Sequence, residues 1–166
     1  MRGPGRGGGR VPRRPAHIIT ISSLAGAVGP EFCVAYAAAK FGVEGFMESL
    51  RHDVEPFNIR TTIVQPGFFR TELLVDASTT WAELSVDDYA ERTAATKKVW
   101  ESMNGQQAGA PVKLAEALLT IAGQEQPPAR FVAGAIEAVA EKARGLLAQA
   151  EESRELGASL AHDDAA

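Results

Sequence analysis

Three short runs of β-branched residues separate longer helical patterns, and this alternation restricts the fold more than any other feature. The runs are HIITIS at 17–22, TTIVQP at 61–66 and RFVA at 130–133. The predicted helices, dominated by alanine and long side chains, cover 32–54, 86–103, 112–122 and 135–156. Strands that alternate with helices are typical of βαβ units, in which right-handed crossovers connect parallel strands. We therefore predict an α/β protein with a parallel sheet.

The charge of the chain is distributed unevenly along its 166 residues, a length that suits one domain. Residues 1–15 hold five of the seventeen basic residues and none of the twenty-one acidic ones. They consist largely of Arg, Gly and Pro, so we predict a disordered head at 1–15, a folded body at 16–150 and an acidic tail at 151–166. An acidic body does not favour a nucleic-acid partner or an anionic membrane surface.

Two features near the amino terminus imitate known signals. Gly3, Gly5 and Gly8 match the spacing of a dinucleotide-binding loop, but no strand precedes them and no amphipathic helix follows, so we predict no such function for them. The basic start and the apolar run after it resemble a secretory signal, but Ser22 and Ser23 interrupt the run. Cys33 is the only cysteine, which excludes an internal disulfide. We predict a cytoplasmic protein in which Cys33 is a small buried side chain.

A tyrosine and a lysine at helical spacing form the candidate reactive pair. Tyr36 and Lys40 are four residues apart, so they share one face of the predicted helix. An ammonium group beside a phenol favours the phenolate form, which allows the tyrosine to exchange a proton with a substrate. Ser23, at the end of the first strand, could donate a hydrogen bond to the same substrate oxygen. Alone, the pair is weak evidence, because a half-buried tyrosine and a solvated lysine often have this spacing.

The order of these motifs resembles the classical short-chain dehydrogenase/reductase family over roughly residues 16–134. In that family a strand ends in a serine motif like Ile21-Ser22-Ser23, and the Tyr-x-x-x-Lys helix follows thirteen residues after the second serine, as Tyr36 does here. The next strand is followed by Pro-Gly and then a threonine, matched by Pro66-Gly67 and Thr71. The resemblance implies a Rossmann-like sheet, here truncated to its last three strands with flanking helices.

The resemblance also implies an activity, the transfer of hydride between NAD or NADP and a secondary alcohol or ketone. Tyr36 would be the catalytic acid and base, Ser23 would orient the substrate oxygen, and Lys40 would assist the tyrosine and bind the nicotinamide ribose. The implied cofactor-binding residues are Tyr36, Lys40, Pro66, Gly67, Phe68 and Thr71. No metal is expected, since the three histidines are isolated in the sequence. The segment 73–109 would form a lid over a small-molecule substrate, with Trp81, Tyr89, Trp100 and Met103 as apolar contacts.

Several motifs of the family's first half are missing from the sequence, including the Thr-Gly-x-x-x-Gly-x-Gly loop for the pyrophosphate and the Asn-Ala-Gly motif. We therefore expect the chain to correspond to the C-terminal part of a longer enzyme and to bind NAD or NADP poorly by itself. Its first strand would then lack a neighbour on one edge.

Two alternatives stay open at this point. The chain could be a non-catalytic fragment that associates with a full-length relative through the helix at 32–54, since intact family members are commonly homo-oligomers. It could also derive from an extended-type sugar epimerase or reductase, although Pro66-Gly67 with Thr71 favours the classical pattern.

Overall fold

A three-stranded parallel sheet forms the centre of the protein in a computed structural model that describes residues 16–75, 77–81 and 86–160. The strands are β1 (Ala16–Ile21), β2 (Ile59–Pro66) and β3 (Arg130–Ala133), in the order β1-β2-β3. Both pairs are parallel, with Ile18 opposite Thr61 and Val64 opposite Phe131. The sheet confirms the predicted Rossmann-like α/β class. The predicted head at 1–15 lies outside the described residues.

Five helices flank the sheet in the described part of the chain. They are α1 (Val34–Val54), α2 (Asp87–Ser102), α3 (Pro111–Ala122), α4 (Ile136–Glu152) and α5 (Arg154–Ala158). The first three begin and end within two residues of the predicted bounds. The predicted helix at 135–156 is instead divided at Ser153, whose hydroxyl donates to the carbonyl of Gln149 at 2.8 Å. Such bonds from a serine side chain to the preceding turn compete with the regular helix pattern. None of the helices within the described ranges is long and apolar enough to span a membrane.

The core lies around β2, the only strand of this sheet with a neighbour on both sides. Residues 61–65 are all buried, and Val64 is completely shielded from solvent. Met47 of α1 and Ile121 of α3 are also among the buried apolar side chains. A central parallel strand is buried without alternation, which suits the β-branched residues of the run that predicted it, although Thr61, Thr62 and Gln65 among the buried residues are polar.

A hydrogen-bonded chain of polar groups joins the three strands near their amino ends. The ring nitrogen Nε2 of His17 in β1 lies 2.8 Å from Oγ1 of Thr62 in β2, and that hydroxyl donates to the carbonyl of Pro128, before β3, at 2.6 Å. Burial, assisted by the nearby positive charge of Arg60, lowers the pKa of His17 below its ordinary value. The imidazole is therefore held as a neutral group that fixes the start of the sheet.

A salt bridge connects α1 to β3 above the central strand. The carboxylate of Glu44, in a helix position that is only 5% exposed, lies 3.2 Å from Nε of Arg130. Arg130 also pairs with Glu48, one helical turn further along α1. A carboxylate this buried requires a charged partner, since an unpaired buried charge is strongly destabilising.

Strand β1 forms one edge of the sheet. Within the described residues it pairs only with β2, as expected from the sequence, and Ile21 at its end is 49% exposed. The neighbouring helix α1 also exposes large apolar side chains, among them Val34, Phe41 and Phe46. An unpaired apolar edge beside an apolar helix surface favours association with another polypeptide.

Candidate active site

A cavity of about 490 Å³ opens at the carboxyl ends of β1 and β2. In open α/β sheets this edge is where ligands bind. All seven residues predicted for the site line this one cavity: Ser23, Tyr36, Lys40, Pro66, Gly67, Phe68 and Thr71. A second cavity of about 440 Å³ lies at the opposite edge, near the amino end of β2, and is lined by several charged side chains but by none of the predicted residues.

Ser23 is placed by the end of β1 and the turn that follows it. The amide of Ser22 still donates to the carbonyl of Val64 at 2.8 Å, so the strand pattern continues to that residue and buries its side chain. Ser23 comes next and caps the single 3₁₀ turn Leu24–Gly26, where its Oγ accepts from the amide of Ala25 at 3.1 Å. A hydroxyl that accepts one bond keeps its own proton to donate. Ser23 can therefore donate to a ligand in the cavity.

Tyr36 and Lys40 lie in the first two turns of α1 on one face of the helix. The Nζ atom of Lys40 is 5.7 Å from the centre of the Tyr36 ring. The same atom donates to the carbonyl of Ile21 at the end of β1, at 3.3 Å. Because an ammonium group has three donors, this bond leaves two for other partners. Lys40 thus connects the tyrosine helix to the strand end that carries Ser23.

Pro66 and Gly67 form the wall of the cavity at the end of β2. The amide of Gly67 donates to the carbonyl of Ala133 at 2.9 Å, which continues the pairing of β2 with β3 past the strand. A methyl group added at Gly67 would lie no closer than 3.5 Å to its nearest neighbour, Ala133. Packing within the described chain therefore does not by itself require glycine at this position.

Phe68 and Thr71 follow on the same segment. The Phe68 ring packs against Trp100 of α2 with ring centres 5.8 Å apart. The Oγ1 atom of Thr71 accepts from the amide of Leu73 at 3.4 Å and caps a short 3₁₀ turn.

Of the four apolar contacts predicted for the lid over the substrate, Trp100 lines the cavity. Trp81 instead contacts Lys97, whose Nζ is 5.4 Å from the ring centre, and Tyr89 is largely exposed. Met103 does not line the cavity either.

Gln107 is a buried polar residue of the cavity that sequence reasoning missed. It belongs to the segment between α2 and α3 and is 5% exposed. Its Oε1 is shielded from solvent and has no hydrogen-bond partner among the described residues. In the sequence, Gln106-Gln107 before Gly109 resembles any polar turn, so no local signal distinguishes Gln107 from a solvated residue.

Cys33 also lines the cavity, just before α1 begins. Burial raises the pKa of its thiol above the ordinary value, which disfavours the nucleophilic thiolate at neutral pH. Cys33 is only partly buried, so the prediction of a buried side chain is wrong in that respect, while the raised pKa agrees with an unreactive thiol.

Comparison with known proteins finds that the chain is similar to dehydrogenases and reductases. A family model described as short chain dehydrogenase matches residues 11–82. An oxidoreductase of Botryotinia fuckeliana is 31% identical over 157 residues, which cover 90% of this chain and 54% of the relative. A 3-ketodihydrosphingosine reductase of Bacteroides thetaiotaomicron is 35% identical over 123 residues, or 73% of this chain and 45% of the relative.

The fold is similar to that of a solved short-chain dehydrogenase from Streptomyces avermitilis. The TM-score is 0.74 at 28% identity, with 88% of this chain and 53% of that structure covered. The chain spans about half the length of the curated relatives it matches.

Proposed function

Because the chain belongs to the short-chain dehydrogenase/reductase family, we propose that it carries the proton-transfer site of an NAD(P)-dependent oxidoreductase acting on a secondary alcohol or ketone. The observation that carries the proposal is the convergence of Ser23, Tyr36 and Lys40 on one cavity. These residues come from a strand end and a helix, and no two of them are adjacent in sequence.

In this proposal Tyr36 transfers the proton. When a ketone is reduced, its oxygen takes the phenolic proton of Tyr36; when an alcohol is oxidised, the phenolate takes the hydroxyl proton. Ser23 donates a hydrogen bond to the same oxygen and stabilises the negative charge that develops on it. The nicotinamide, when bound, supplies or accepts the hydride.

Lys40 supports Tyr36 and the cofactor from one position. Its bond to the carbonyl of Ile21 holds the ammonium beside the Tyr36 ring, and its remaining donors suit the hydroxyls of a nicotinamide ribose. The wall formed by Pro66, Gly67 and Phe68 is then available for the nicotinamide ring, with Thr71 next to it.

The residues fit the nicotinamide half of the cofactor better than the adenine half. The sequence contains no Thr-Gly-x-x-x-Gly-x-Gly loop, and the Gly3 to Gly8 segment lies outside the described residues. We therefore expect this chain by itself to bind NAD(H) or NADP(H) weakly, with no described residue that selects between the two. Calorimetry with both cofactors tests this expectation, and saturable micromolar binding would contradict it.

A ketone substrate with apolar substituents suits the cavity. Most of its lining side chains are apolar, as is usual for small-molecule sites. The similarity to a 3-ketodihydrosphingosine reductase supports a ketone as the oxidised substrate.

The decisive test compares the two tyrosines of the chain. Tyr36→Phe removes the proposed proton donor, so turnover of a panel of apolar ketones, assayed at millimolar reduced cofactor because weak binding is expected, should fall by about 10²–10⁴-fold with an unchanged melting temperature. Tyr89→Phe, on an exposed part of α2, should leave turnover unchanged. The measurement is the absorbance of the reduced nicotinamide. Equal turnover in the two variants would remove Tyr36 from the proposed role.

We also propose that the protein associates with a second copy through α1. Val34, Phe41 and Phe46 are exposed large apolar side chains on this helix, and Phe46 is 64% exposed. Phe46→Glu places a charge on this surface and should shift the protein to a smaller species in light scattering after size exclusion. Phe57→Glu, an exposed phenylalanine beyond the end of α1, is the matched control. A wild-type monomer would contradict the proposal.

A further inference from the structure

We infer that Gln107 is a specificity-determining residue of the cavity and that it hydrogen-bonds a second polar group of an otherwise apolar ketone or alcohol. The inference rests on the oxidoreductase function proposed above and adds a substrate requirement to it. It goes beyond the reactive residues, because Gln107 belongs to a different segment of the chain from Ser23, Tyr36 and Lys40.

The buried amide of Gln107 is incompletely bonded. The residue is 5% exposed, and its Oε1 is shielded from solvent and unpartnered within the part of the chain that the structure describes. An unsatisfied buried polar group is destabilising, and most buried polar groups are therefore hydrogen-bonded. Since Gln107 lines the cavity, we take a bound molecule to be the partner that its carboxamide lacks among the described residues.

The backbone around Gln107 is fixed to the wall of the cavity. The guanidinium of Arg70 donates to the carbonyl of Gln107 at 3.2 Å, and the amide of Gly109 donates to the carbonyl of Phe68 at 3.0 Å. A side chain at Gly109 is excluded, because its first carbon would lie 2.7 Å from the carbonyl oxygen of Phe68. This close attachment fixes the backbone that carries the Gln107 side chain before a ligand arrives, which reduces the entropy lost on binding.

The surroundings of Gln107 define what it can recognise. The cavity residues contributed by the chain after Gly67 are apolar except for two: Phe68, Phe69, Leu73, Leu74, Trp100 and Leu114 are apolar, whereas Thr71 and Gln107 are polar. The hydroxyl of Thr71 accepts a bond from Leu73 and, like that of Ser23, keeps its proton for a further partner. A carboxamide both donates and accepts, so it pairs with a hydroxyl or an amide. The predicted substrate is thus an apolar carbonyl compound with a second hydrogen-bonding group away from the reacting carbon.

The test uses Trp100 as a fluorescent reporter of the cavity. Trp81→Phe leaves Trp100 as the only tryptophan. This protein is titrated with benzylacetone and with its para-hydroxy derivative, which differ by one hydroxyl at the far end from the ketone. We expect the hydroxy ketone to bind about tenfold more tightly, the effect of one net hydrogen bond. Gln107→Leu should abolish this preference, whereas Gln106→Leu, at the exposed neighbouring glutamine, should retain it.

The outcomes separate the inference from the proposed function. A preference that survives in Gln107→Leu would overturn the inference, and so would failure of the protein to bind either ketone. Because the titration requires neither cofactor nor turnover, Gln107-dependent binding would support the inference whatever the result of the Tyr36→Phe comparison, which tests the proposed function separately. Gln107→Met keeps the length of the side chain and carries the same prediction if the leucine variant does not fold.

Discussion

Polar side chains have opposite roles at the two ends of the parallel strands, which we call the amino edge and the carboxyl edge of the sheet. At the amino edge, His17, Thr62 and the carbonyl of Pro128 bond to one another and join all three strands. At the carboxyl edge, Lys40 and Ser23 each make one bond within the protein and keep further donors, while Oε1 of Gln107 makes none. Polar groups that are bonded to each other stabilise the fold, whereas groups with unused capacity are available to a ligand. The same strands thus have one end whose polar groups are bonded to each other and one end that we propose binds a ligand.

The largest effect that tests this difference should come from replacing each of the two adjacent serines at the carboxyl edge by alanine, one at a time. Ser23→Ala removes the proposed donor to the substrate oxygen, and turnover should fall by about 10²-fold or more. Ser22→Ala removes a buried hydroxyl that has no partner, so its turnover and stability should stay close to the wild type. Ketone turnover and urea unfolding of both variants are the measurements. A larger loss of turnover in Ser22→Ala would reverse the assignment.

A second prediction concerns stability alone. Arg130→Met leaves the buried carboxylate of Glu44 without its cation, and because Arg130 is partly exposed we expect a loss of about 2 kcal/mol in the free energy of unfolding. Arg144→Met removes an exposed pair with Glu137 and should cost less than about 0.5 kcal/mol. Urea denaturation measures both. Equal losses would show that burial of Glu44 does not determine the effect.

The smallest predicted effect is a pH dependence at the amino edge. Because burial, assisted by Arg60, lowers the pKa of His17 in the folded protein, the unfolded chain takes up a proton first as the pH falls through the ordinary histidine value of about 6.5. Stability should therefore decrease from about pH 7 downward, until the folded protein is protonated as well. Protonation would also place an unpaired N–H at Nδ1, which has no partner.

His17→Gln keeps a donor for Thr62 and removes the titration, so unfolding at a series of pH values should show a shallower loss than in the wild type. His52→Gln, on an exposed part of α1, is the matched control and should retain the wild-type slope. An unchanged slope in His17→Gln would exclude this histidine as the source of the pH dependence.

The sequence by itself predicted most of the elements and a shared location for Ser23, Tyr36 and Lys40. The strand at 130–133 has the predicted bounds, α1 begins only two residues later than expected, and Ser23, Tyr36 and Lys40 share a cavity. These features depend on local rules: β-branched runs, helical spacing and a strand that ends in a turn. Their order along the chain then indicated the family, whose topology places strand ends and helix starts together.

Only the tertiary structure identified the residues that depend on contacts between distant segments. Arg130 meets Glu44 across 86 positions of sequence, and Arg70 meets Gln107 across 37. Trp100 reaches Phe68 from a helix whose other predicted lid residue, Tyr89, is exposed. Burial and the loss of a hydrogen-bond partner arise when separate elements pack together, so a polar residue such as Gln107 has no local pattern that reveals either property.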